Sequence, residues 1–165
     1  MSYRIDLILF VNPIINFRWK HGQVHYLSTE KENHKSLFVD ELKNIDSDYL
    51  LFWDFNNDLP SYELLIKLCN KNYDLIHGSY WEDKSMEPRY LNYVKPIWLY
   101  NLQAKVDLEF SSFRCTPKNV LVKTQVFKSN FDATNKYVSL DFNFLDFGDR
   151  LLNNGGIVRY NPELN

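Results

Sequence analysis

A continuous apolar run, Tyr49-Leu50-Leu51-Phe52-Trp53, ends directly at a cluster of oxygen-bearing side chains. Acidic residues bound the run on both sides, and its length is that of a short strand buried on both faces of a sheet. The polar side chains that follow it are Asp54, Asn56, Asn57 and Asp58. Pro60 and a segment with helical spacing, 62–68, come next. This succession of strand, acidic loop and helix is typical of an open α/β sheet, in which ligands bind beyond the carboxyl ends of the strands.

Two interpretations of residues 54–58 stay open. Two or three oxygens at the end of a strand suit a hard divalent cation, or the hydroxyls of a sugar or ribose. Asn and Asp also dominate turns, so the same residues can form a polar turn in which Asp58 caps the following helix. The functional interpretation makes Asp54 the first candidate, with Asn56 and Asp58 beside it.

Composition narrows the class of protein. The length of 165 residues predicts one domain, 1–165, with enough residues for a core. A hydrophobic fraction of 45% and a net charge of −2 argue against disorder and against a basic surface for nucleic acid or anionic membranes. Cys69 and Cys115 lack metal-ligand spacing, which favours a reducing compartment. No stretch approaches the ~20 apolar residues of a membrane helix, and the N-terminus does not resemble a signal peptide. These features predict a cytoplasmic protein without a transmembrane segment.

Apolar runs and helical periodicities alternate along the first half of the chain. Strands are predicted at residues 5–11, 24–27, 49–53 and 74–81. Helices are predicted at about 32–45 and 60–70. The alternation predicts an α/β fold, in which these strands form one mostly parallel sheet with helices on both faces.

The second half of the chain is less regular. An edge strand is predicted around residues 90–94, and a helix opened by its proline at 96–104. Short strands are predicted at 113–116, 120–123 and 157–160. A helix is predicted between them, with Ser139 as its N-cap, Phe144, Phe147 and Leu151 on its buried face, and Gly155-Gly156 at its end.

Several of these segments, taken in order, resemble family 2 glycosyltransferases of the GT-A fold. Residues 47–54, Ser-Asp-Tyr-Leu-Leu-Phe-Trp-Asp, resemble the strand that delivers the Asp-x-Asp motif of that family. Phe131-Asp132 and residues 146–162 resemble its later segment, in which a Phe-Asp-Glu turn precedes an acidic helix, a short strand and a proline. Residues 74–80 are similar to its acid-x-hydrophobic-x-Gly strand. The resemblance covers most of residues 24–162 and implies a truncated GT-A fold of the nucleotide-diphospho-sugar transferase type.

The resemblance also implies a chemistry. In that family the first motif holds a divalent ion that bridges the diphosphate of a nucleotide sugar, and an acid of the later helix deprotonates the acceptor hydroxyl. It follows that Asp54, Asn56 and Asp58 would hold Mn²⁺ or Mg²⁺, and that Asp54 and Asn56 would contact the donor. Asp141 or Asp146 would be the catalytic base. Five residues separate these two acids, which corresponds to about 500° of helix rotation, or about 140° around the axis, so they point to different faces. The implied partners are a nucleotide sugar and a glycan or another hydroxyl acceptor.

The sequence departs from the family pattern at the residues that carry this chemistry. Asn56 replaces the second acid of the metal motif, and an amide is a weaker ligand than a carboxylate for a hard cation. When Arg150 and Gly155 are aligned with the family, its Glu-Asp pair falls on Asn143 and Phe144. The position of the usual base is therefore a phenylalanine.

Two further departures concern missing elements. Only some dozen residues separate the strands at 5–11 and 24–27, which is too few for the family's helix and its acid-bearing strand. The acceptor-binding segments that often follow in the family would lie beyond position 165. Weak binding of Mn²⁺ and nucleotide sugar by the isolated chain is therefore expected.

Three functional hypotheses follow. The chain is a glycosyltransferase, or a degenerate glycosyltransferase-like module that binds a sugar or a partner without turnover, or a piece of a larger enzyme completed by another chain. The ordered family-like segments favour the first hypothesis. Asn56, Phe144 and the missing early unit favour the second.

Other polar residues are expected to be structural. Arg150 lies four residues after Asp146 on a predicted helix and is expected to form an ion pair with it. His77, late in a buried strand, is expected to be a core histidine. Cys69 and Cys115 are expected to be inert thiols.

Overall fold

Seven strands form one mixed sheet in the computed structural model, which describes residues 2–11, 19–28, 42, 44–54, 57–78, 108–132 and 140–164. The strands are β1 (Ile5–Val11), β2 (Val24–Ser28), β3 (Tyr49–Asp54), β4 (Leu75–His77), β5 (Phe110–Ser111), β6 (Asn119–Lys123) and β7 (Val158–Tyr160). The helices are α1 (Tyr62–Cys69), α2 (Thr124–Asn130) and α3 (Leu140–Asn153), followed by a 3-10 helix, Pro162–Leu164. None of these described helices has the length and apolar character that a membrane crossing requires.

The order of the strands in the sheet is β2-β1-β3-β6-β4-β7-β5. Strands β2, β1 and β3 pair in parallel, and so do β4 and β7. Strand β6 is antiparallel to both of its neighbours, β3 and β4, and β5 is antiparallel to β7. Five strands therefore run in one direction, and the prediction of a mostly parallel α/β sheet is confirmed. The strand order brings the end of β3, the start of β6 and the end of β4 side by side at the carboxyl edge of the sheet.

Helices cover both faces of the sheet, as predicted. On one face, Ile8, Leu50 and Phe52 pack with Phe127 of α2 and Phe144 of α3. On the other face, alternate residues of the same strands pack against α1. The main members of that second cluster are Leu7, Leu9, Leu51, Trp53, Leu65 and Leu68. Because both faces are buried, β3 has apolar residues at every position before Asp54.

Helix α3 runs from the carboxyl edge of the sheet to its amino edge. It ends in a Schellman motif: Gly156 N–H donates to the carbonyl of Leu151 at 2.9 Å, and Gly155 has a φ of +86°, which favours glycine. Ile157 N–H then donates to the Asp74 carboxylate, which lies just before the first residue of β4. The C-terminus of α3 is thereby fixed at the amino edge, so its first turn lies toward the opposite, carboxyl edge.

Two local predictions were wrong, and one helix was not predicted. Asp58 does not cap α1: the Ser61 hydroxyl accepts from the N–H of Leu64, and Asp58 is exposed three residues earlier. Residues 113–116 form no strand, because they pack against α3, where the Cys115 thiol donates to the carbonyl of Phe144. Helix α2 was not predicted at all, since its short, polar sequence is helical mainly because Phe127 packs into the core.

Some predicted elements lie outside the described residues. These are the edge strand at 90–94, the helix at 96–104 and the N-cap Ser139. Of the helix predicted at 32–45, only residues 42, 44 and 45 are described. Leu42 and Ile45 are buried in the same cluster as Phe52.

Candidate functional site

Asp54 is the last residue of β3 and lies at the carboxyl edge of the sheet. Its N–H donates to the carbonyl of Lys118 at 2.7 Å, in the turn that leads into β6. On the other side of β6, the N–H of Gly78 donates to the carbonyl of Asn119. Asp54, Lys118, Asn119 and Gly78 thus line the centre of the carboxyl edge, which is where an open α/β sheet binds its ligands.

The side chain of Lys118 lies over Asp54. Its Nζ is 3.9 Å from Asp54 Oδ2, so the contact is an ion pair longer than a hydrogen bond. The carboxylate is 15% exposed and the lysine side chain 47% exposed. Lys118 N–H also donates to the hydroxyl of Thr116, so backbone hydrogen bonds hold the lysine on both sides. The result is a mostly buried acid with a solvent-accessible cation beside it.

Asp141 interacts with the same lysine from the first turn of α3. Burial raises the pKa of Asp141 above its ordinary value, and the ammonium of Lys118 opposes this rise. Lys118 therefore forms an ion pair with Asp54, and its charge also lowers the pKa of Asp141.

Asp146, the other predicted base, forms an ion pair with Arg150. Arg150 Nε donates to Asp146 Oδ2 at 2.7 Å, one helical turn away on α3. This confirms the expected i,i+4 pair. The two acids lie about 140° apart around the helix axis. The structure thus links Asp146 to Arg150, and Asp141 to Lys118.

The two positions aligned with the family's Glu-Asp pair lie in the core. Phe144 is fully buried and packs against the rings of Phe52 and Phe131. Asn143 is 1% exposed, and within the described part of the chain its amide nitrogen and oxygen have no hydrogen-bond partner. Neither side chain offers a base for an acceptor hydroxyl.

The described residues are a poor fit for a divalent cation. Asp58 is exposed, and Asn56 lies outside the residues that the structure describes. Asp54 already faces an ammonium group, which repels a second cation at the same carboxylate. Over the described ranges, no three His, Cys, Asp or Glu side chains form a group suited to a metal ion. Binding of Mn²⁺ or Mg²⁺ by Asp54, Asn56 and Asp58 stays a prediction.

Gly78 allows Leu164 of the 3-10 helix and the side chain of Asn119 to approach the backbone after β4 closely. A Cβ at this position would lie 2.3 Å from the carbonyl oxygen of Leu164 and 2.6 Å from Asn119 Nδ2. Any side chain would therefore displace the 3-10 helix or Asn119. This steric requirement explains the glycine that the sequence places after the buried strand.

His77 and the two cysteines are structural, as expected. The ring nitrogens of His77 face the carbonyls of Gly78 and Ser112 at 2.8 and 3.2 Å, and a neutral ring can donate to one of them. Burial lowers the pKa of His77 to about 4. Burial also raises the pKa of the Cys69 and Cys115 thiols to about 12, so both are protonated at neutral pH.

Sequence reasoning missed Lys118. Its position beside Asp54 depends on the antiparallel insertion of β6 between β3 and β4, a pairing between distant segments that local patterns do not reveal. A usable signal was the polar turn Pro117-Lys118-Asn119 directly before a predicted strand.

Comparisons with known proteins give a likeness of fold. The crystal structure of A197 from STIV matches this chain with a TM-score of 0.56 and 10% sequence identity, and the match covers 96% of this chain and 82% of that chain. No protein-family model matches the sequence, and no curated protein matches it significantly. At this level of identity, the structural match supports a shared fold and carries no argument about chemistry.

Proposed function

We propose that the chain is a GT-A-type glycosyltransferase domain, which transfers a sugar from a nucleotide sugar to an acceptor hydroxyl. The observation that carries the proposal is the position of Asp54 at the carboxyl edge of the sheet, in an ion pair with Lys118, whose charge also acts on Asp141 in the first turn of α3. Asp54 and Asp141 come from the strand and from the helix region that correspond to the two halves of the family's active site. The mostly parallel sheet, with one antiparallel strand beside β3, is compatible with this fold.

Each residue then has a role in the transfer. The donor's diphosphate lies at the carboxyl edge beside Asp54, and the acceptor hydroxyl lies at Asp141. The hydroxyl oxygen forms a bond to the anomeric carbon, the bond from that carbon to the diphosphate oxygen breaks, and the nucleoside diphosphate leaves with the electron pair. Asp141 Oδ accepts the hydroxyl proton and later releases it to solvent. A pKa raised by burial makes Asp141 a stronger base than an exposed aspartate.

A divalent cation, when bound, would neutralise charge on the diphosphate, and Asp54, Asn56 and Asp58 are the residues that would hold it. The ammonium beside Asp54 makes this site unfavourable. No step of the reaction is therefore assigned to a metal ion. Asp146 is assigned to its ion pair with Arg150.

The test is a transfer and hydrolysis assay with a panel of nucleotide sugars. We expect Asp141→Asn to lower kcat/KM by roughly a hundredfold or more, as the loss of a general base does. Asp149→Asn is the matched control, because Asp149 is on the same helix and bonds to Asn153 on its surface. Asp146→Asn tests the other candidate base. Equal activity in the Asp141 variant and the wild type would refute the assignment.

A non-catalytic binding module is the second candidate. Two observations favour it: Asn56 replaces an acid, and Phe144 is buried in the core where the family has its base. Under this alternative, nucleotide sugar binds to the wild type and equally to Asp141→Asn, yet neither transfers sugar. The third hypothesis, a piece of a larger enzyme, predicts transfer only after a partner chain is added.

A further inference from the structure

We propose that Lys118 is a binding residue for the donor's diphosphate, and that it supplies at Asp54 the positive charge for which related enzymes use a divalent cation. This inference rests on the proposed function and names how that site holds its substrate. The ligand class is a nucleoside diphosphate, recognised through its phosphate oxygens.

The geometry of the edge carries the first step of the argument. A diphosphate next to Asp54 meets a carboxylate that is mostly buried, so a compensating cation is needed within a few ångströms. Lys118 Nζ lies 3.9 Å from that carboxylate and reaches solvent on a flexible stem. A lysine ammonium has three donors and binds phosphate as a point charge.

The second step comes from Lys123, the last residue of β6, which serves as an internal reference for Lys118 in the turn before that strand. Lys123, at the opposite end of the strand, is 3.0 Å from Asp74 Oδ1 and also donates to the carbonyl of Asn72. Its side chain is 26% exposed, compared with 47% for Lys118. Lys118 is thus the more exposed of the two lysines, and it lies at the carboxyl edge of the sheet.

The third step concerns the metal motif. In sequence, Asn56 is neutral where the family pattern has an acid, and in the structure Lys118 places a positive charge beside Asp54. Both differences weaken the attraction for a divalent cation, and both strengthen the attraction for an anion. The ammonium of Lys118 therefore makes the Asp54 carboxylate a poorer ligand for a divalent cation and favours a phosphate beside it.

The experiment is calorimetric titration of the full chain with UDP, GDP, ADP and inorganic pyrophosphate, each with EDTA and with Mn²⁺. We expect binding in EDTA that Lys118→Met weakens by roughly tenfold or more and that Lys118→Arg retains. Lys123→Met is the matched control and leaves the affinity unchanged. Binding in EDTA also weakens with added salt, because the charges are partly exposed. Circular dichroism of each variant verifies that it is folded.

The outcomes separate this inference from the proposed function. Binding that requires Mn²⁺, is lost in Asp54→Asn and is unaffected in Lys118→Met overturns the inference and leaves the glycosyltransferase proposal standing. Lys118-dependent binding of pyrophosphate in EDTA, with no turnover of any nucleotide sugar, supports the inference and refutes the proposed transfer activity. If none of the four anions binds under either condition, both proposals are wrong.

Discussion

The two ends of β6 carry the same pair of charges in different settings. At the amino edge, Lys123 and Asp74 are 3.0 Å apart, and Asp74 also accepts from the N–H of Ile157 at 2.9 Å. At the carboxyl edge, Lys118 and Asp54 are 3.9 Å apart. The first pair joins β6, β4 and the end of α3 through direct hydrogen bonds. The second holds a more exposed lysine over a more buried acid.

The two pairs therefore differ in the distance between their charges and in the exposure of their lysines. An ion pair with good hydrogen bonds holds backbone segments together, and replacing either partner lowers the free energy of unfolding while the chain still folds. An ion pair at 3.9 Å, half exposed, contributes little to stability. We therefore expect substitutions near the amino edge to affect unfolding, and substitutions at the Asp54 edge to affect binding. The predictions below test this division, in order of expected effect.

The largest effect is expected at Asp6, near the amino edge. Its carboxylate is fully buried, accepts from the N–H of Gln23 at 2.8 Å and lies near Arg4 and His25. Asp6→Ala leaves these partners without their anion and should cost about 3 to 4 kcal/mol of unfolding free energy. Chemical denaturation measures this loss. Asp46→Ala, an exposed acid near the same edge, is the control and should change stability by less than about 0.5 kcal/mol.

A loss of less than about 1 kcal/mol in Asp6→Ala would contradict the structural role of the amino edge.

The next largest effect is expected from His77 in acid. Its folded-state pKa of about 4 lies below the ordinary value of 6.5, because burial disfavours the charged ring. The neutral ring thus contributes stability that is present above pH 6.5 and is lost as the pH falls through about 4. The loss should reach about 3 kcal/mol. His77→Gln, which keeps one donor, should flatten this part of the stability curve, whereas an equally steep curve in the variant would exclude His77 as its cause.

Local patterns predicted the strands well, and the site only in part. Tyr49 to Trp53 could be recognised because a strand buried on both faces must be apolar throughout. The prediction that Asp58 caps the helix was wrong because Ser61, three residues later, is the N-cap, so the helix begins later than Asp58 would allow. Lys118 could not be recognised, since its importance depends on the pairing of β6 with β3 and β4 across long sequence separations.

Double-mutant cycles at the two ends of β6 test the comparison directly. Each cycle isolates one pair from the other contacts of its members. We expect a coupling energy of about 1 kcal/mol for Lys123 with Asp74 and about 0.3 kcal/mol for Lys118 with Asp54. Methionine for lysine and asparagine for aspartate preserve approximate size. Equal couplings would mean that Lys118 is a structural residue, and the distinction between the edges would fail.

The smallest change in the free energy of unfolding is expected for Asp141→Asn. The pH dependence of this change is more informative than its size. Burial raises the pKa of this carboxyl, and Lys118 opposes the rise without cancelling it. A group whose pKa is raised by folding contributes stability below its unfolded pKa, and this contribution is lost as the pH rises through the folded pKa. Asp141→Asn removes that loss, and the net change in stability at neutral pH should stay within about 0.5 kcal/mol, the usual range for surface substitutions.

The helix dipole complicates the absolute value, because a carboxylate in the first turn of α3 is itself favourable by about 0.3 to 1 kcal/mol. The pH dependence of the stability difference between variant and wild type avoids this difficulty. We expect the variant to become more stable relative to the wild type as the pH rises from about 3 to about 8. The matched double variant Lys118→Met/Asp141→Asn, compared with Lys118→Met, should show a steeper slope, since the lysine no longer stabilises the carboxylate. A slope of the opposite sign would mean that Asp141 is more acidic than an exposed aspartate. Asp141 would then be a weak base, and the proposal that it deprotonates the acceptor would fail. The proposal that Lys118 binds phosphate would be unaffected.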